Sequence, residues 1–112
     1  MKFEINGIEW TIREEDEKSK YLTIIDQQGK ECQAIGFCAH ENKYILLAKQ
    51  LPKDQKVRTL RHELTHAFCY DCLVSNRYEF DQEALCEFVA IYSPRINQIA
   101  DDYFVKNSCT KK

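Results

Sequence analysis

His62-Glu63-Leu64-Thr65-His66 sets two imidazoles four residues apart with a carboxylate beside the first. On a helix, residues four apart share one face, one turn above the other. Both rings can therefore address one metal ion. Glu63 is rotated by about 100° from His62, beside such an ion and not on it. A carboxylate there suits proton transfer from a metal-activated water. The chemistry implied is metal-assisted hydrolysis. Zinc suits imidazole and carboxylate donors, although other divalent ions fit the same set. Two of the chain's 3 histidines lie in this motif.

A catalytic zinc keeps three protein ligands and one open position. Glu83 and Glu87, themselves four apart, are the candidates for the third. Glu83 is taken as the ligand, with Glu87 holding the free nitrogen of a ligating histidine. Metal ligands are thus expected at His62, His66 and Glu83, with Glu63 as general base. An oxyanion donor is also needed. Tyr70, Tyr78 and Tyr92 are available, and nothing in the sequence selects among them.

These side chains need elements to position them. Val57, Leu60, Leu64, Ala67 and Phe68 recur at helical spacing, so the motif falls on a helix that begins after Pro52. The three functional side chains lie off that apolar stripe. The spacing predicts a second helix over Asp81–Tyr92, with Leu85, Phe88, Val89 and Tyr92 inward. Ser93-Pro94 interrupts it, and Ile96, Ile99, Ala100 and Phe104 suggest a third. The stretch from Cys69 to Gln82 is long enough to turn the chain back and form a helical hairpin. Ahead of the helices, Phe3 and Ile5 alternate with polar residues up to Asn6-Gly7, a type I′ turn signal. Ile8, Trp10 and Ile12 form the returning strand. Glu14 to Lys20 reads as a solvated loop and Tyr21–Ile25 as a short strand. Cys32–Ala39 and Tyr44–Ala48 form a second hairpin, joined through His40, which reads as solvated. Gly36 hints at a bulge or an edge approached by another backbone. The fold class expected is α+β: N-terminal antiparallel β-hairpins packed on two to three C-terminal helices, in one domain over residues 1–112.

Composition narrows the function classes. The chain has 112 residues, 44% apolar and 30% charged, with a net charge of −2. That balance suits a folded domain, not a disordered one. No basic stripe argues for nucleic acid. No apolar run is long enough for a bilayer, and the N-terminus lacks a signal-peptide pattern, so no membrane role and a cytoplasmic location are expected. In that compartment the 6 cysteines are expected as free core thiols. Cys69-Tyr70-Asp71-Cys72 is a CxxC, but Cys32 and Cys38 are too far apart to form a good zinc knuckle with it.

The segments Arg58-Thr59-Leu60-Arg61-His62-Glu63-Leu64-Thr65-His66-Ala67-Phe68 and Asp81-Gln82-Glu83-Ala84-Leu85-Cys86-Glu87-Phe88-Val89-Ala90 resemble small phage- and prophage-encoded zincin-like proteins. These are similar to ImmA/IrrE-type metallopeptidases. The resemblance extends over most of residues 3–92. It implies a minimal zincin-like domain, Zn2+ held by His62, His66 and a glutamate of the next helix, and a protein or peptide substrate, such as a phage or host regulator. It supports Glu83 as that glutamate. The chain departs from the group at Thr65, where glycine is common, and at Glu87, where Asp or Asn is expected. A second class of function is a zinc-containing protein-binding module without turnover. The extended segment Cys32–Ala39 is the expected edge for an added substrate strand.

Overall fold

The computed structural model describes residues 1–72 and 82–109, with side chains as far as Lys106. Among these, six strands precede two helices, an α+β order. β1 (Lys2–Ile5) and β2 (Ile8–Glu15) are the expected antiparallel hairpin. Asn6 and Gly7 turn it with φ of 51° and 80°, the two positive values that a type I′ turn requires.

The next elements depart from the expected hairpins. A 3-10 turn (Lys20–Leu22) leads to β3 (Thr23–Ile25), which pairs antiparallel with β4 (Glu31–Gln33) in a sheet of their own. β5 (Gly36–Ala39) then pairs antiparallel with β6 (Tyr44–Ala48). The extended run Cys32–Ala39 is therefore two strands in two sheets. Ala34 N–H donates to the Leu22 carbonyl and Ala48 N–H to the Ile35 carbonyl, so residues 34 and 35 hand the chain across.

The larger sheet has the order β1-β2-β6-β5, and β2 runs parallel to β6, with Thr11 opposite Tyr44 and Glu15 opposite Ala48. That parallel pair corrects the expectation of antiparallel hairpins alone. Its cause is the excursion of residues 16–43, which carries the chain back so that β6 runs in the direction of β2. β6 is a nearly continuous apolar run, as a strand covered on both faces must be. Ile45 and Leu47 enter the main core, while Leu46 and Ala48 meet Leu22 on the other face.

α1 (Lys53–Cys72) packs across β5 and β6 and buries Leu60, Leu64, Ala67 and Phe68. α2 (Gln82–Cys109) is one helix through Pro94, not a second and third helix. Proline removes one backbone hydrogen bond and costs a helix about 3 kcal/mol. Burial on both sides of it offsets this, from Phe88 before to Ile96, Ile99, Ala100 and Tyr103 after. Only Phe88 and the half-buried Tyr92 of the expected inward face pack against the core; Leu85 and Val89 are exposed. Asp81 and Tyr78 lie outside the described residues. Among the described residues, no helix is long and apolar enough to cross a membrane.

The charge run also has more structure than a solvated loop. β2 continues to Glu15, and Glu14 accepts hydrogen bonds from Lys56 at 2.9 Å and from the Tyr103 hydroxyl. It thereby joins the sheet to both helices.

Candidate metal centre

α1 positions the motif as its spacing requires. The rings of His62 and His66 are exposed, with centroids 4.8 Å apart and planes at 79°. Thr65 is accommodated in the helix by donating its hydroxyl to the Arg61 carbonyl at 2.7 Å. Burial lowers the pKa of His66, and the charge of His62 lowers it further. Both effects favour the neutral imidazole that binds a metal.

Glu63 behaves differently from its neighbours. It is only 8% exposed, because β5 crosses α1 there. Glycine at position 36 makes this approach possible: a Cβ on Gly36 would lie 2.6 Å from Thr59 Cγ2 and 3.1 Å from Glu63 Oε2. The face of the helix expected to lie wholly off the core is thus divided, histidines outward and carboxylate inward. Burial raises the Glu63 pKa, against an opposing pull from His62. Ile35, Gly36, Arg58, Thr59, His62 and Glu63 line one pocket of about 260 Å³. One imidazole and the buried carboxylate therefore face a common space.

The tyrosine candidates separate cleanly. Tyr70 is exposed one turn beyond His66, with ring centroids 6.5 Å apart, and it stacks on His40 at 4.4 Å. Tyr92 is half-buried and packs on Phe68 and Phe88 at the margin of the core. His40 keeps 42% of its side-chain surface exposed, and its Nε2 is 3.4 Å from Asp71 Oδ1. Asp71 also accepts from Trp10 Nε1 at 2.8 Å and Lys43 Nζ at 2.9 Å. Burial pushes its pKa up, but those hydrogen bonds and the charges of Lys43 and His40 outweigh that and hold it below the usual range. Nothing in the sequence marks Asp71 as this junction. Arg58 does carry a readable signal, its position four residues before His62.

Glu83 and Glu87 are exposed on the first turns of α2. Among the described residues, no three His, Cys, Asp or Glu side chains converge on a common point. The two histidines are brought together; Glu83 is not gathered with them. Cys38, Cys69 and Cys72 are half-buried free thiols against the core, Cys32 is half-buried, and Cys86 is free and exposed. The Cys109 side chain lies outside the described residues. No family model, curated protein or solved structure matches the chain.

Proposed function

We propose that this chain is a zinc-dependent metallopeptidase with a minimal zincin-like fold. The observation that carries the reading is the shared pocket of His62 and the buried Glu63, at the crossing of β5 and α1. His62 and His66 supply two nitrogen donors on one helix face. Glu83, exposed on the first turn of α2 and apart from the histidines here, would be drawn in as the third ligand on metal binding, and Glu87 would steady a ligating imidazole. When bound, zinc polarises the scissile carbonyl and lowers the pKa of water at the site towards about 7.

The protein's own part is positioning and proton transfer. Burial brings Glu63 closer to neutral pH than an exposed glutamate, as suits a group that takes a proton and returns it to the leaving amine. Tyr70, beside His66, is the described tyrosine best placed to donate to an oxyanion. β5 is an edge strand of the larger sheet, so a substrate can add to it as an extended strand. The substrate class is a protein, with a cytoplasmic phage or host regulator as the leading case.

Metal analysis of protein purified without added metal tests the centre. One zinc per chain is expected, lost in His62→Ala and in His66→Ala. Near-stoichiometric zinc in both variants would remove the assignment. Glu83→Gln should weaken binding far more than Glu87→Gln, whose cost is about 10- to 100-fold. Glu63→Gln should keep zinc and the fold, and trap partners that the wild type cuts. Equal binding by both forms, with every trapped partner intact, would make the chain a binding module.

A further inference from the structure

We infer that Arg58 selects substrates carrying an acidic side chain within one or two residues of the scissile bond. The inference rests on the peptidase reading for the location of that bond. Arg58 lines the same pocket as His62 and Glu63. It stands four residues before His62, about 6 Å along the axis. That distance matches one to two residues of extended peptide at about 3.3 Å each. A strand added along β5 turns alternate side chains towards α1, where Ile35 and Gly36 line the pocket with Arg58 and His62.

The neighbouring cations are committed elsewhere. Lys56 holds Glu14 at 2.9 Å, and Arg61 lies 3.8 Å from Asp101. Among the described residues no carboxylate pairs with Arg58. Asp54, one turn before it, lines the adjoining hollow with Arg58 but forms no ion pair with it. A guanidinium keeps its charge throughout the working pH range and can bind a carboxylate through two parallel hydrogen bonds. The chain carries a net charge of −2. Acidic ligands are therefore drawn by this local group and not by the overall field.

The test uses full-length, zinc-treated Glu63→Gln protein, immobilised and exposed to a peptide library with acetylated and amidated ends. Bound peptides are read by mass spectrometry. Asp and Glu should be enriched over Asn and Gln at one or two adjacent positions. Arg58→Gln should cut that enrichment by about 10- to 100-fold, the range for hydrogen bonds to a charged group. Arg58→Lys should keep part of it, and Arg58→Glu should turn the preference towards Lys and Arg. Equal retention of Asn and Gln peptides, capture of no peptide, or enrichment that survives Arg58→Gln would each overturn the inference. Wild-type cleavage of the captured peptides is scored separately. Acidic peptides that bind but stay whole would retire the peptidase reading and leave the selection by Arg58 standing. Cleavage without acidic preference would do the reverse.

Discussion

Gly36→Ala isolates the contact that places Glu63. Gly36 has no positive φ, so alanine meets no backbone penalty there; the obstacle is space. The added methyl would sit 2.6 Å from Thr59 Cγ2, 3.1 Å from Glu63 Oε2 and 3.2 Å from Glu63 Cγ. The first distance is well inside the usual 3.5–4.0 Å separation of carbon atoms, so β5 or α1 must shift. Overpacking of this kind costs about 1–3 kcal/mol. At about 4–8 °C of Tm per kcal/mol for a domain near this size, the melting point should fall by roughly 5–20 °C. Thr59→Ser deletes the offending methyl and alone should cost about 1 kcal/mol. In the double variant the two losses should not add. A coupling of about 0.5–3 kcal/mol is expected from urea titrations of all four proteins. The serine relieves only the first clash, so the double variant should regain stability while the hydrolysis proposed for Glu63 stays low, because the Cβ still presses on its carboxyl. Losses that sum to within about 0.5 kcal/mol would refute the steric account of the β5–α1 crossing.

Asp71→Asn should destabilise the protein at neutral pH by about 1–3 kcal/mol, because Trp10, Lys43 and His40 lose a charged acceptor. Asp71 is held below its unfolded pKa of about 3.9, so its contribution is full above that pH and is lost as pH falls through the folded value; urea titrations at pH 7 and pH 3 should show the gap between wild type and variant closing. Burial, with help from Glu63 and Asp71, pushes the Cys38 thiol up to about 12; at pH 8 a maleimide should modify exposed Cys86 long before Cys38, and mass spectrometry of partial digests gives the order. Pro94→Ala should stabilise α2 by about 1–3 kcal/mol by restoring a backbone donor, and an unchanged or lower Tm would show that the proline is needed by the packing around it.

The parts of this fold legible in the sequence are those that depend on neighbours along the chain. Asn6-Gly7 specifies its turn by backbone preference alone, and the stripe from Leu60 to Phe68 specifies α1 by its period. The motif falls where that period puts it. What the sequence conceals depends on distant partners. The parallel pairing of β2 with β6 leaves no local mark, since β6 reads as an apolar strand in either direction. Pro94 reads as a break because the burial that offsets it comes from other elements. Glu63 reads as solvated because the strand that covers it is Gly36–Ala39, and only the glycine hinted at a close approach. The proposed third ligand, Glu83, is the least legible part of the candidate site, since its position depends on how α2 meets α1.

The parallel join of β2 to β6 gives the excursion of residues 16–43 a topological duty. Parallel neighbours cannot be linked by a tight turn; they need a crossover of about a dozen residues or more. Shortening the excursion to a hairpin loop would reverse β6 and delete β5, which lies within it, together with Gly36. Glu63 would then lose its cover although no residue of α1 had changed. The small β3–β4 sheet can thus tolerate altered side chains but not removal of its length. Two distantly related chains could differ completely in that segment's composition and still share the site, provided both keep the detour.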